Sequence, residues 1–222
     1  MKNLEHIKLQ DVLNAKQVAW EAKATDAQKK MSSENLEAII ETNFKKNAIK
    51  VGDKVLDFTL KNALGECTNL QTILNEGPVV LTWYRGGWCP YCNLTLQYLQ
   101  NSLLEFKKQG ANLLALTPEL PDKSLSTTEK HDLKFEVLSD VGNKVAKQYG
   151  LSYKLTDALA VVYKNGVGLK NYNGDDSSEL PITATYVIDS KGIVQYAFLD
   201  ADYRKRASIS VILEVLKTLQ SK

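Results

Sequence analysis

The chain has 222 residues, 44% hydrophobic and 24% charged, and its 28 Lys+Arg nearly balance its 26 Asp+Glu to leave a net charge of +2. That composition supports a buried core and excludes a disordered chain, and it argues against a nucleic-acid binder, which gathers basic charge on one face. No run approaches the about 18 apolar residues of a membrane span, residues 1–10 have no apolar signal core, and three cysteines make no disulfide scaffold, so the expected location is the cytoplasm.

Residues 1–48 read as an N-terminal helical arm ahead of a main domain over 49–222. Leu36, Ile39, Ile40 and Phe44 recur at helical spacing, with Ser32 and Ser33 as caps and Ala24–Lys30 as the turn between two helices. The arm carries no motif and is expected to pack on the main domain or on a second subunit of a homodimer. Strands are expected at Val55–Leu60, at Pro78–Arg85 and at Asn112–Thr117, the last two being buried runs of β-branched, aromatic or aliphatic residues. A helix should carry Leu96, Leu99, Leu103 and Phe106 to a stop at Gly110. Ser126-x-x-Glu129 reads as a capping box opening another helix, and Val141–Tyr149 as one more. Leu155–Leu180, with two Asn-Gly turn signals, reads as an inserted lobe. Thr185–Asp189 and Ile193–Leu199 form a hairpin, and Ile209, Ile212, Leu213, Leu216 and Leu219 line a closing helix. Strand–helix alternation followed by an antiparallel pair predicts an α/β fold, a mixed sheet with helices on both faces.

The chemistry concentrates in Trp83-Tyr84-Arg85-Gly86-Gly87-Trp88-Cys89-Pro90-Tyr91-Cys92. A strand ends, two glycines turn the backbone, and Cys89 and Cys92 fall where a helix begins, close enough for a disulfide. Pro90 suits the first helical turn, where its missing N–H costs nothing. The helix N-terminus favours thiolate over thiol, and Arg85 can add a fixed positive charge. Which thiol gains more turns on which sulfur faces the helix axis and which is buried. A zinc site needs four ligands and the chain has no second Cys-x-x-Cys, so a redox dithiol is the preferred reading. Neither a Gly-x-Gly-x-x-Gly run after a strand nor a Walker-type loop is present, and no cofactor or metal is expected. Cys67 is expected to be a small buried hydrophobe, His131 a solvated helix residue, and Arg204-Lys205-Arg206 a solvated face.

Val51–Leu60, the strand into Trp83–Cys92, Val137-Leu138-Ser139-Asp140 and Thr185–Asp189 resemble the peroxiredoxins. Arg85-Gly86-Gly87-Trp88-Cys89-Pro90-Tyr91-Cys92, the Asn173–Asp176 loop and Asp202-Tyr203 followed by basic residues resemble more narrowly a bacterial peroxiredoxin-like branch of the alkyl hydroperoxide reductase/thiol-specific antioxidant group. The resemblance implies a thioredoxin-like fold and a thiol-dependent peroxidase. Laid on this chain, the family pattern Pro-x-x-x-Thr-x-x-Cys puts the peroxide-attacking cysteine on Cys92, with Cys89 at the Thr position and Arg85 at the Pro position. The activating Arg of typical members falls on Thr183, which also departs from the cis-proline of thioredoxins. The implied cycle has Cys92 attacking a hydroperoxide, Cys89 closing an intrachain disulfide, Arg85 holding the charge, Trp88 and Thr183 at the substrate, and a thioredoxin- or glutaredoxin-type donor restoring the thiols. The alternative is a thioredoxin-type oxidoreductase in which Cys89 attacks protein disulfides; a redox-sensing interaction protein is a third reading.

Overall fold

The computed structural model describes residues 8–220; residues 1–7, most of the stretch read for a signal core, lie outside them. Two helices come first, α1 (Leu9–Glu21) and α2 (Asp26–Glu41). Helix α2 begins where the sequence reading placed a turn. Thr25 Oγ1 accepts from the Gln28 amide at 3.3 Å and Gln28 Oε1 accepts from the Thr25 amide at 2.9 Å. This reciprocal cap satisfies the first helical amides and leaves Ser32 and Ser33 in the helix interior. Ile39 and Phe44 of the expected apolar face are buried, whereas Ile40 is 59% exposed, and Phe44 sits in a 3-10 turn after the helix (Phe44–Lys46).

The first strand, β1 (Thr59–Asn62), starts later than expected and pairs as a hairpin with β2 (Cys67–Asn69), which leads into α3 (Leu70–Leu74). Strand β3 (Val79–Trp83) follows, then α4 (Pro90–Asn101) and α5 (Leu103–Lys108). One continuous helix was expected there. The break falls at Ser102, whose hydroxyl donates to the Tyr98 carbonyl at 2.9 Å, a local bond that competes with the helical ladder. Next come β4 (Asn112–Thr117) and α6 (Pro121–Lys130). Helix α6 opens on Pro121 rather than on Ser126; the Ser126 hydroxyl instead donates back to the Asp122 carbonyl at 3.0 Å. Strand β5 (Glu136–Ser139) leads to α7 (Lys144–Gln148), whose Val145 and Ala146 amides both donate to Asp140 at 2.9 Å.

The inserted lobe consists of β6 (Ser152–Lys154), α8 (Asp157–Val162), a π-helical turn (Tyr163–Val167), α9 (Leu169–Asn173) and β7 (Glu179–Pro181), closed by antiparallel pairing of β6 with β7. The hairpin is β8 (Thr185–Ile188) with β9 (Val194–Phe198), and α10 (Ile209–Gln220) closes the fold.

Seven strands form one mixed sheet in the order β2-β1-β5-β4-β3-β8-β9. Alternation along β3 supplies both faces. Leu81 and Trp83 point to the side holding Phe44, α3, α7 and the lobe, and Val80 to the side holding α1, α4, α5 and α10. This is the thioredoxin-like α/β architecture, with α1 and α2 ahead of it. β3, β4 and β8 are central, so the carboxyl ends of β3 and β4 deliver Arg85 and Glu119 to one rim, where α4 begins. Cys67 is exposed, contrary to expectation, because β2 is an edge strand with no layer over it.

Candidate active site

The two glycines before the dithiol are required by space. Gly86 has φ +149°, and a Cβ there would stand 2.3 Å from Trp88 Nε1. A Cβ on Gly87 would stand 2.0 Å from Thr127 Oγ1 on α6. The turn closes with the Cys89 amide donating to the Gly86 carbonyl at 3.0 Å, and Asn93 Nδ2 donates to the Gly87 carbonyl at 2.8 Å. Cys89 thus becomes the N-cap of α4, with Pro90 as its first residue.

Both thiols are free and buried: Cys89 is 1% and Cys92 0% exposed. Arg85 is 1% exposed as well, an ionised group surrounded by rings. Its guanidinium carbon lies 4.1 Å from the centroid of Tyr203, 5.0 Å from Trp88 and 5.3 Å from Tyr163, and its Nη2 donates to the Tyr163 hydroxyl at 2.7 Å. Tyr163 comes from the lobe and Tyr203 from the β9–α10 connection, so both close over the rim.

A second guanidinium reaches the sulfurs from a segment the sequence reading assigned to a solvated face. Arg206 is 7% exposed. Its Nη2 donates to the Cys92 sulfur at 3.6 Å, while Nη1 donates to Thr183 Oγ1 at 3.2 Å, to the Lys205 carbonyl at 2.7 Å and to the Tyr203 carbonyl. Arg204 is also partly buried, paired twice with Asp202 at 2.7 and 3.0 Å. Helix α1 holds this strap: Gln10 accepts from the Arg206 amide at 3.1 Å and donates to the Arg204 carbonyl at 3.3 Å.

The two thiols differ in acidity. Burial opposes a charge on Cys89, yet the hydrogen bond from the Cys92 thiol and the positive charges of Arg85 and Arg206 outweigh it and bring Cys89 down to about 6. Burial pushes the Cys92 thiol well above the ordinary value, and the bond to Cys89 and the negative charge there push the same way, against Arg206 and Arg85. Cys89 is thus the more acidic of the two thiols, whereas the family pattern laid on the sequence gives the attacking role to Cys92.

The five residues singled out from the sequence, Cys89, Cys92, Arg85, Trp88 and Thr183, gather at this rim. Thr183 is 2% exposed and faces Arg206, so its hydroxyl is already engaged. Trp88 packs on Tyr163 with centroids 5.3 Å apart. Sequence reasoning missed Arg206, Tyr163, Tyr203, Gln10 and Glu119. Only the Asp-Tyr-plus-basic string of the family resemblance pointed toward the Arg206 strap. His131, expected to be solvated, is half-buried and its Nδ1 lies 3.1 Å from Gln97 Nε2; among the described residues no group of His, Cys, Asp and Glu is placed to hold a metal.

Known proteins resemble the chain over most of its length. The AhpC/TSA family model matches residues 51–197. Peroxiredoxin Q, chloroplastic, of Populus jackii is 27% identical over 171 residues, 77% of this chain and 70% of that protein. Peroxiredoxin Bcp of Escherichia coli (strain K12) is 27% identical over 171 residues, 77% of this chain and 97% of that protein. Among solved structures, Peroxidoxin BcpB from Mycobacterium tuberculosis superposes with a TM-score of 0.61 at 23% identity, covering 77% of this chain and 98% of that one. With a dithiol at the rim of a thioredoxin-like sheet and a family match over most of its length, the chain belongs to the AhpC/TSA family and is a thiol peroxidase of the peroxiredoxin kind.

Proposed function

We propose that the protein reduces hydroperoxides at Cys89, that Cys92 closes the disulfide, and that a cytoplasmic thioredoxin- or glutaredoxin-type dithiol protein restores both thiols. What supports this order is the place of Cys89 at the N-cap of α4, where the helix terminus favours a thiolate, together with the lowered pKa of Cys89 beside the raised pKa of Cys92. The Cys89 thiolate attacks the terminal peroxide oxygen, the O–O bond breaks and Cys89 becomes a sulfenic acid, while the departing alkoxide becomes alcohol by taking up one proton that the thiolate itself does not supply. The Cys92 thiol then attacks that sulfur; its proton and the sulfenic hydroxyl leave together as water, and the disulfide forms. Arg206 and Arg85, whose charges act on Cys89, would stabilise the negative charge that builds as the O–O bond lengthens, the task that the resemblance gives to an arginine at the position of Thr183. In this reading residues 1–48 are an arm that braces the 49–222 domain through α1.

The test is stopped-flow reaction of the reduced protein with hydrogen peroxide, comparing wild type, Cys89→Ser and Cys92→Ser, with intact mass on the products. Cys89→Ser is expected to be inert and Cys92→Ser to stop at sulfenic acid. The reverse pattern would restore Cys92 as the attacking residue. A wild type no faster than a free thiol, yet quick to exchange with protein disulfides through Cys89, would favour the oxidoreductase reading.

A further inference from the structure

One buried carboxyl at this rim has no part in the steps above. Glu119 is 0% exposed and follows the carboxyl end of β4. Its Oε1 accepts from the Gly87 amide at 3.0 Å, and a Cβ on Gly86 would lie 2.9 Å from that oxygen, so the carboxyl lies directly against the turn that presents Cys89. Its Oε2 is buried without a hydrogen-bond partner among the described residues. No cation pairs with it there. A carboxylate with an unsatisfied oxygen in a dry interior is costly, which favours the neutral acid.

We propose that Glu119 is the proton reserve of the dithiol: it holds a proton while Cys89 is a thiolate and releases it when the pair becomes a disulfide. This rests on the peroxidase reading and deepens it. Reduction of one hydroperoxide to alcohol and water takes two electrons and two protons. The sulfurs supply both electrons, but a pair held as one thiolate and one thiol supplies a single proton. With Glu119 the balance closes inside the site: thiolate, thiol, carboxylic acid and ROOH give disulfide, carboxylate, ROH and water. The groups facing Glu119 are the Gly87 amide, Tyr84 from the end of β3 and Thr117 from β4, which favour the carboxylate, and Cys89, whose negative charge joins burial in favouring the acid. With burial as the largest cause, Glu119 stands at about 7, so the proton is available near neutrality, and loss of the thiolate charge on oxidation removes one of the forces retaining it. Because no sulfur contact is involved, Glu119 is a positioning and proton-holding residue for the pair.

The experiment is infrared difference spectroscopy of the whole protein at pH 6.5, disulfide minus dithiol, with diamide as oxidant so that no peroxide reaction is required. Oxidation is expected to bleach a protonated-carboxyl band that shifts on 13C-glutamate labelling. The same band should be lost from Glu119→Gln, which keeps an acceptor for the Gly87 amide and matches the neutral acid in shape. A spectrum with no carboxyl change on oxidation, or a bleach that persists in Glu119→Gln, would overturn the proposal. If intact mass shows that diamide forms no Cys89–Cys92 disulfide, the dithiol reading itself fails and this inference falls with it. A bleach in a protein inert to peroxide leaves the proton linkage standing and removes only the peroxidase chemistry.

Discussion

Arg206 Nη1 donates to Thr183 Oγ1 at 3.2 Å. The residue at the family's usual arginine position is therefore bonded to an arginine delivered by a different element, the β9–α10 connection, and the same guanidinium continues to the Cys92 sulfur at 3.6 Å. Arg206 thus brings a positive charge to the rim beside the position where the resemblance implies an arginine.

Arg206→Met should raise the Cys89 thiol from about 6 toward its ordinary range. Because the Cys92 bond and Arg85 remain, the rate with iodoacetamide at pH 7 should fall by about twofold or more and recover at alkaline pH. Arg206→Lys keeps a charge without the fork that spans Thr183 and Cys92, and should fall between. Thiolate absorbance followed against pH checks this. A titration that overlays wild type would remove Arg206 from the site's electrostatics.

The dithiol should also make stability depend on pH. The folded state lowers the Cys89 thiol to about 6, so its contribution is complete above the unfolded thiol's value and disappears as pH falls through about 6. Taking ~8.5 for the unfolded thiol, the reduced protein should gain ~2 kcal/mol over Cys89→Ala between pH 6 and pH 8. Urea midpoints of both proteins at the two pH values measure this. A constant difference between them would contradict the assignment of the thiolate.

Leu13 is fully buried in the same apolar cluster as Cys89, Cys92 and Leu96, and Gln10 on the same helix holds the Arg206 strap. Leu13→Ala should cost about 2–5 kcal/mol through the cavity it leaves. Gln10→Ala should cost only about 1 kcal/mol but raise the Cys89 thiol by loosening Arg206. Equal loss of stability with unchanged thiol titration in both would reduce α1 to packing alone.

Gly87→Ala should be destabilising by roughly 1–3 kcal/mol, because its new methyl would meet Thr127 Oγ1 at 2.0 Å. Gly87→Ala with Thr127→Ala should recover part of that loss, since removal of the hydroxyl leaves the next contact, Thr127 Cβ, at 3.3 Å. Additive costs in the double variant would mean that the collision is with backbone instead.

The parts of this fold that could be read from sequence are those decided by local pattern. Val79–Trp83 and Leu113–Thr117 are central strands buried on both faces, and a continuous apolar run reports that directly. The Gly-Gly turn and Pro90 announced the helix that begins after Cys89. Helix starts were harder, because hydroxyl residues have two uses: Thr25 caps, whereas Ser126 and Ser102 bond back to carbonyls four residues earlier. A lowered thiol beside Arg85 was legible, but the split of acidity between the two cysteines was not. That split depends on burial, on the bond between the two thiols, and on Arg206, which lies in a connection without periodicity.

Gln10 and Arg206 are 196 residues apart along the chain, yet they meet beside the dithiol. A chain that ends before Arg206 lacks one of the two guanidiniums that act on Cys89 in the folded site. The charge that Arg206 brings to the dithiol thus requires both ends of the chain to be in place.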